Sequence, residues 1–282
     1  MGVIQDPHAV AGLRAAHSLV LEAVARACAR AGRDPTGIQL VAVSKTVSVD
    51  RLAAALAAGL AVLGENRVQE AESKAPHLPG ARWHLIGPLQ SNKARRAVDL
   101  FEAIESVDSV ELARRLDRLA GEMVATHGET LASGAGAGAS AGPLGVYLQV
   151  NIDRDAAKSG FMPEALEAEL PGIAGLPNLS LRGLMTVGRL VSSPEEARPT
   201  FARLRELSEL LRSDVPALGP GLSMGMSDDY EVAVEEGATV IRVGRAIFGE
   251  RPLAGGRADA GADPADRQAA AGPPVPGRLQ GR

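Results

Sequence analysis

The sequence predicts a single α/β domain, a closed (β/α)8 barrel. Eight short apolar segments rich in β-branched residues alternate along the chain with amphipathic segments. Near-continuous apolar strands separated by helices indicate a parallel sheet that is buried on both faces. Eight such units in about 245 residues match the usual size of a barrel. An open doubly wound sheet is the alternative, although that fold normally uses fewer strands.

The predicted elements follow one another in a regular order. A long amphipathic segment at residues 9–31 predicts an extra helix before the first strand. Apolar runs bounded by glycine or polar residues predict eight strands, at residues 39–44, 61–64, 82–86, 101–106, 145–151, 181–187, 221–225 and 239–243. Apolar residues at helical spacing predict helices between the strands, at residues 49–58, 68–75, 110–124, 195–212 and 229–236.

Two segments have compositions that cannot form a core. Residues 132–143 consist almost entirely of alanine, glycine and serine, and residues 253–282 are dominated by alanine, glycine, proline, aspartate and arginine. Such segments cannot bury enough apolar surface to offset the entropy of ordering the chain. We therefore expect one barrel domain over residues 8–252, with a flexible insertion at 132–143 and a disordered tail at 253–282.

Charge and cysteine content exclude several classes of protein. The chain has 34 acidic and 30 basic residues, a net charge of −4, so no strong field recruits nucleic acid or an anionic membrane. Cys28 is the one cysteine, which excludes an intramolecular disulfide framework and a zinc site of several thiolates, and we predict no metal. No apolar run approaches the roughly 20 residues of a membrane span, and the N-terminus lacks the apolar core of a secretory signal. We expect a soluble cytoplasmic protein.

The chemistry of a (β/α)8 barrel lies at the carboxyl ends of its strands, and Lys45 occupies such a position. It follows the apolar run at residues 40–43. An amine held against an apolar wall loses part of its proton affinity and becomes a better nucleophile toward carbonyl groups. Lys45 is therefore a candidate Schiff-base lysine. Taken alone, a lysine whose amine reaches solvent from a strand end is the commoner case.

Two further strand ends together predict a phosphate site. After the seventh predicted strand, Gly225 allows close approach of the backbone, and Ser227 can present a hydroxyl and an amide at the start of a helix. Gly244 and Arg245 follow the eighth strand, and phosphate sites after strands seven and eight recur in this architecture. For the first of these loops alone, N-capping by Ser227 or Asp228 is an equally good interpretation.

Three other side chains are candidates of unequal strength. Arg242 alternates with the aliphatic residues of the eighth strand, so we expect it to face the barrel mouth, where a buried guanidinium needs an acceptor. A structural salt bridge is the alternative. Asn66 and His84 are weaker candidates for binding, because each could instead satisfy local backbone groups, and His84 beside Trp83 could be a core histidine.

Five blocks of sequence occur in a definite order along the chain. They are VSKT at 43–46, GENRVQE at 64–70, WHLIGPLQ at 83–90, SMGMS at 223–227 and IRVGRAIFG at 241–249. Together they resemble the signature blocks of the pyridoxal phosphate homeostasis protein family, and the resemblance runs from about residue 8 to 252. There are two departures. Arg67 stands where many relatives have tyrosine, and residues 187–193 lack the proline-containing loop often seen after this strand.

The resemblance implies a single barrel similar to the N-terminal domain of bacterial alanine racemases. It implies pyridoxal 5′-phosphate (PLP) as the cofactor, held as an internal aldimine with Lys45, with Arg242 facing the pyridine nitrogen and Asn66 near the ring. By motif position, the residues holding the phosphate are Ser227, Gly244 and Arg245.

Two classes of function follow from this resemblance. The first is a protein that binds, buffers or delivers PLP and has no catalytic residues, with apo forms of PLP-dependent enzymes as candidate recipients. The second is a PLP-dependent amino-acid racemase, which needs an acid or base on each face of the cofactor. Lys45 supplies only one, and neither Tyr147 nor Tyr230 is an evident second, so the carrier is favoured. A Schiff-base aldolase without cofactor is a third interpretation.

Overall fold

Eight parallel strands pair in chain order and close into a barrel in the computed structural model, which describes residues 6–130, 142–189 and 191–249. The strands are β1 Gln39–Val43, β2 Val62–Glu65, β3 Arg82–Leu85, β4 Ala103–Val107, β5 Leu144–Gln149, β6 Leu179–Met185, β7 Gly221–Ser223 and β8 Val240–Val243. β1 pairs with β8, Gln39 opposite Val240 and Ala42 opposite Val243, and this pairing closes the barrel. The predicted (β/α)8 barrel is confirmed, and the open sheet is wrong.

Helices surround the barrel. Within the described residues they are α1 Pro7–Arg30, α2 Val49–Ala57, α3 Val68–Lys74, α4 Ala94–Leu100, α5 Val110–Thr130, α6 Pro163–Ala174, α7 Arg198–Asp214, α8 Tyr230–Glu235 and α9 Arg245–Phe248. The six predicted helices are all present, with ends that differ by a few residues. Three more helices complete the ring: α4, for which residues 93–96 indicated only a basic helix start, and α6 and α9, which were not predicted.

The extra N-terminal helix α1 packs against α2, α8 and α9. It begins at a proline, and the side chain of Asp6 caps it by accepting a hydrogen bond from the backbone N–H of His8. Its buried face includes Leu13, Val20 and Val24, while Arg30 near its end forms ion pairs with α8. The helix therefore belongs to the barrel's outer layer.

The barrel has two apolar cores. The larger lies between the strands and the helices and takes the outward-facing residues of each strand. The smaller fills the interior of the barrel with five buried side chains, Val41, Val62, Tyr147, Met185 and Val240. Because strand side chains alternate between faces, these five identify which residues of their strands point inward.

The part of the chain that the structure describes ends shortly after the barrel. The barrel forms one compact unit that ends at Gly249, and residues 250–282 lie outside the described part of the chain. The predicted tail also lies outside the described residues, as do residues 132–141 of the predicted insertion. Among the described residues, no helix is long and apolar enough to span a membrane.

Candidate functional site

Lys45 lies in a tight turn directly after β1. The N–H of Val47 donates to the carbonyl of Ser44 at 3.0 Å, and Thr46 has a φ of +65°, in the left-handed region. Val41 faces the interior of the barrel, and the strand's alternation places residue 45 on the same side. Lys45 is half-buried there. The structure therefore places Lys45 at the carboxyl end of β1, the end of the barrel where the sequence argument located it.

The chain has four lysines, at positions 45, 74, 93 and 158. Lys74 is buried, and its ammonium donates to three oxygens, which are the Ser44 carbonyl and the Oε1 atoms of Glu65 and Glu70. Lys158 donates to the Val187 carbonyl at 3.2 Å. All three N–H donors of Lys74 have acceptors inside this cluster, so its amine is not available to a ligand at the mouth.

A chain of polar side chains crosses the interior of the barrel. Arg242 of β8 donates to Ser223 Oγ at 2.6 Å and to the Thr186 carbonyl at 2.8 Å. Ser223 Oγ in turn donates to Glu105 Oε2 at 2.6 Å, and Glu105 Oε1 lies 2.6 Å from Nδ1 of His84. All four side chains are buried. Arg242 thus faces inward, as predicted, and reaches Glu105 through a serine, with 4.0 Å between the charged groups.

Glu105 is the anionic member of this row of polar side chains. Burial would raise the pKa of its carboxyl, but the hydrogen bond from His84 and the charges of His84 and Arg242 outweigh burial, so the pKa lies below its usual range. A carboxylate only accepts hydrogen bonds, which places a proton on Nδ1 of His84. The other ring nitrogen of His84, Nε2, is buried and has no hydrogen-bond partner among the described residues.

Tyr147 also lies in the interior. It is buried among Val41, Met185 and Val240, and burial together with the charge of Glu105 raises the pKa of its phenol to about 12. A phenol with such a pKa is almost fully protonated at neutral pH. Tyr147 is therefore a poor base.

The predicted phosphate loops lie next to each other at the ends of β7 and β8. The backbone N–H of Gly244 donates to the hydroxyl of Ser227 at 3.2 Å, and Arg245 forms an ion pair with Asp228. Gly225 has a φ of +90°, and a Cβ atom there would lie 2.6 Å from the Cβ of Ala233. Ser227 is half-buried and Arg245 is exposed. Glycine at 225 thus allows α8 to pack closely against the end of β7.

Asn66 and Arg67 follow β2. Asn66 is half-buried, and the backbone of Gly87 packs on it so closely that a Cβ at residue 87 would lie 2.5 Å from the Asn66 carbonyl oxygen. Arg67 is exposed at the start of α3. Burial would raise the pKa of Glu70, but the hydrogen bonds from Lys74 and from the Thr46 N–H outweigh burial, with a smaller contribution from the charge of Arg67, so this pKa lies below its usual range. The structure therefore brings Asn66 to the mouth with Lys45, whereas His84 lies below it in the interior.

Two buried charged side chains were not among the sequence candidates: Glu105 in the barrel interior and Lys74 behind the turn at Lys45. Glu105 sits inside a buried strand, and the argument that identified Arg242, a charge alternating with apolar residues, applies to it equally. Lys74 is one helical turn after Glu70 in α3, a spacing that is usual for an exposed ion pair. Only the fold shows that this pair is buried against the turn at Lys45.

The described part of the chain contains no cluster of side chains that could form a metal site. No group of three or more histidine, cysteine, aspartate or glutamate side chains there could hold a metal ion.

The chain is similar to known proteins over nearly all of the barrel. Residues 21–252 match the family model described as alanine racemase, N-terminal domain. The chain is 41% identical over 243 residues to the pyridoxal phosphate homeostasis protein of Pseudomonas aeruginosa, covering 83% of this chain and 96% of the relative. It is 37% identical over 236 residues to the protein of the same name from Aquifex aeolicus, again covering 83% and 96%.

Solved structures show the same similarity. PipY of Synechococcus elongatus, solved with PLP bound, has 41% sequence identity and a TM-score of 0.67, covering 80% of this chain and 100% of PipY. An alanine racemase of Clostridium difficile has a TM-score of 0.61 at 14% identity, and the match covers 86% of this chain and 56% of the racemase. The second likeness shows a shared fold alone.

Proposed function

The chain belongs to the pyridoxal phosphate homeostasis protein family, and from this premise we propose that it binds PLP at the barrel mouth as an aldimine with Lys45 and takes part in intracellular PLP homeostasis without robust catalysis. One observation carries the proposal. Lys45 follows β1, and Gly244 and Arg245 follow β8. β1 and β8 are paired directly in the barrel. A carbonyl-reactive amine and the predicted phosphate loops therefore share one edge of the barrel.

The residues present fit PLP in charge and in hydrogen-bonding groups. A Cβ on Gly244 would lie 3.3 Å from the Cβ of Val43, so this loop packs against the strand that leads to Lys45. The Ser227 hydroxyl and the Arg245 guanidinium offer donors suited to a phosphate. Arg242 offers a buried cation for the pyridine nitrogen. The relative PipY was solved with PLP bound, which supports the same ligand here.

The covalent step is an ordinary condensation. The Nζ of Lys45 adds to the aldehyde carbon, a C=N bond replaces the C=O bond, and the aldehyde oxygen leaves as water with the two amine hydrogens. No electrons are transferred. When bound, PLP supplies an electron sink for carbanions, and the protein controls that property through the partner of the ring nitrogen. Arg242 cannot give up its proton, so it can only donate to an unprotonated ring nitrogen, which makes a poorer sink.

The interior of the barrel favours a carrier over a racemase. Racemisation needs a second acid or base opposite Lys45. Tyr147 is buried and its raised pKa makes it a poor base, and Tyr230 lies on α8 beside the surface residues Glu231 and Glu235. We assign Asn66 to a contact with the pyridine ring of PLP. We assign His84 to holding Glu105 in the interior, below the proposed site of the ring. The candidate recipients of the cofactor are apo forms of PLP-dependent enzymes.

The test is trapping of the linkage with borohydride. Wild-type protein incubated with PLP and reduced should carry one pyridoxyl phosphate on the peptide that contains Lys45, identified by mass mapping. Lys45→Ala should lose this label, whereas Lys93→Ala, a matched change at an outlying lysine, should keep it. A label at another of the four lysines would contradict the assignment of Lys45.

Deuterium exchange at the α-carbon of alanine separates the carrier from the racemase. The carrier predicts exchange and racemisation far below the rates typical of enzymes, about 1 s⁻¹ or more, at full PLP occupancy. If the wild type racemises alanine at enzymatic rates, the carrier interpretation is wrong and the protein is a racemase.

A further inference from the structure

The turn that carries Lys45 has a conformation that its own sequence does not favour. Thr46 has a φ of +65°, and a β-branched residue in the left-handed region is a genuine outlier. Such a residue persists only where the surrounding structure determines its conformation. Something outside residues 44–47 must therefore hold this turn.

Two side chains of α3 hold the peptide groups on both sides of Lys45. The carbonyl of the peptide before it, that of Ser44, accepts a hydrogen bond from Lys74 Nζ at 2.9 Å. The N–H of the peptide after it, that of Thr46, donates to Glu70 Oε1 at 2.6 Å. With both flanking peptides held, the direction of the Cα–Cβ bond of Lys45 is set by α3.

Glu70 and Lys74 are themselves held by a buried cluster. The two side chains form an ion pair at 2.7 Å, one helical turn apart. Lys74 also pairs with Glu65 at 2.8 Å, and Glu65 accepts from the hydroxyl of Ser44 at 2.7 Å. Lys74 is 7% exposed and Glu65 is fully buried. Each donor on the ammonium has an acceptor, so moving Lys74 out of the cluster would leave the buried Glu65 without its cation.

We propose that Glu70 and Lys74 are positioning residues for Lys45, which aim its amine at the PLP aldehyde by fixing the peptides on either side of it. The proposal rests on the proposed function, because it requires that Lys45 bonds to PLP. It differs from a purely structural role, in which the cluster would only hold α3 against the barrel. That role predicts a change in stability with no change in the chemistry of Lys45.

The experiment measures the rate of C=N bond formation apart from binding. Pyridoxine 5′-phosphate carries an alcohol in place of the aldehyde, so its affinity reports only the phosphate and ring contacts. PLP forms the bond with loss of water, and its rate is followed by absorbance and by borohydride trapping at Lys45. We expect Glu70→Ala to slow bond formation about tenfold or more, because small misplacements of a reacting group are costly, while the affinity for pyridoxine 5′-phosphate stays within about twofold.

Two variants serve as controls. Glu70→Gln retains an oxygen that can accept from the Thr46 N–H, and we expect it to restore most of the wild-type rate. Glu72→Ala removes a different side chain of the same helix, one that pairs with Arg96 of α4 and not with the turn. Its rate should equal that of the wild type.

Each outcome decides a separate question. If the wild type is not labelled at Lys45, the proposed function fails before the variants are considered. If the wild type is labelled and folded Glu70→Ala forms the bond at the wild-type rate, the positioning role is wrong. If Glu70→Ala is unfolded by circular dichroism, Lys74→Met and Glu70→Gln carry the test, and a wild-type rate in a folded Lys74→Met would overturn the proposal.

Discussion

Glu105 links the two ends of the interior polar chain. It accepts from His84 on one side and from Ser223 on the other, and it is the nearest carboxylate to the buried guanidinium of Arg242. Removing one member of a buried charge network leaves the other charge uncompensated, at a cost of about 3–5 kcal/mol. At the scale of single residues, we therefore expect this carboxylate to contribute more to the free energy of unfolding than any surface ion pair does.

Glu105→Gln tests this expectation through its pH dependence. The folded-state pKa of Glu105 is lowered, so its contribution to the free energy of unfolding is present above the unfolded-state pKa, about 4.3, and is lost as the pH falls through the folded-state pKa. Urea unfolding of the apo protein should show the variant to be about 3 kcal/mol less stable at pH 7. The difference between variant and wild type should narrow as the pH falls below 4.

The control is Glu102→Gln on the residue just before β4. Glu102 pairs with Arg82 and Arg182 in partly exposed geometry, and such pairs contribute about 0–1 kcal/mol. A difference for Glu105→Gln that is as small as that of the control, or that does not change with pH, would contradict the role given to Glu105.

Single residues show clearly what the sequence could predict at the site. Lys45 and Arg242 were identified because a strand end and a strand alternation each specify a direction for one side chain. Glu70 and Lys74 were not identified, because their importance depends on contacts with the turn after β1, which is more than 20 residues away in the sequence. His84 was predicted both as a ligand contact and as a core histidine, and its burial against Glu105 fits the second interpretation.

Among the elements, the loop from β7 into α8 depends on a glycine. Gly225 has a φ of +90°, and an added Cβ would lie 2.6 Å from the Cβ of Ala233 and 2.9 Å from the Cα of Tyr230. Because the Cα of Tyr230 is part of the backbone, a shift of one side chain cannot relieve both contacts, and α8 itself must move. Because Ser227 lies two residues further on, moving α8 away also moves a predicted phosphate contact.

Gly225→Ala should therefore lower both stability and phosphate affinity. We expect a loss of about 1–3 kcal/mol in the free energy of unfolding from backbone strain and overpacking. We also expect weaker binding of pyridoxine 5′-phosphate, measured by calorimetry. Gly12→Ala in α1 is the matched control, because a Cβ there meets no atom within 4 Å, and alanine in a helix is favoured over glycine by about 0.5–1 kcal/mol. Unchanged phosphate affinity in Gly225→Ala would remove this loop from the site.

The same loop explains one limit of prediction at the scale of elements. The predicted strand at 221–225 ends in the structure at Ser223, because the positive φ of Gly225 cannot continue a strand. The helix α6 was not predicted, since Pro171 and Gly172 lie inside it and normally indicate a break. It forms because Leu166, Leu170 and Ile173 present one buried face to the barrel. Tertiary packing outweighs local propensity there.

At the scale of the whole molecule, the proposed site lies where the barrel closes. β1 and β8 are the first and last strands, and their pairing places Gly244 against Val43, two residues before Lys45. The helices that follow these strands are also joined, since Arg51 of α2 donates to the carbonyl of Phe248 at 2.9 Å across 197 positions. A ligand held by both loops adds a further connection between the two ends of the barrel, and this connection exists only in the folded chain.

Binding of PLP should therefore stabilise the whole barrel. A ligand that binds only the folded state at a hundred times its dissociation constant adds about 2.7 kcal/mol to the free energy of unfolding. For a domain of this size each kcal/mol raises the melting temperature by about 2–4 °C, so we expect a rise of about 5–11 °C.

Lys45→Ala should retain a smaller rise, since the phosphate and ring contacts remain, and Glu72→Ala should match the wild type. Because unfolded chains also offer lysines to the aldehyde, pyridoxine 5′-phosphate is measured in parallel. If neither ligand at saturation raises the melting temperature of the wild type, the cofactor does not join the two ends of the barrel, and the site at the closure of β1 and β8 is wrong.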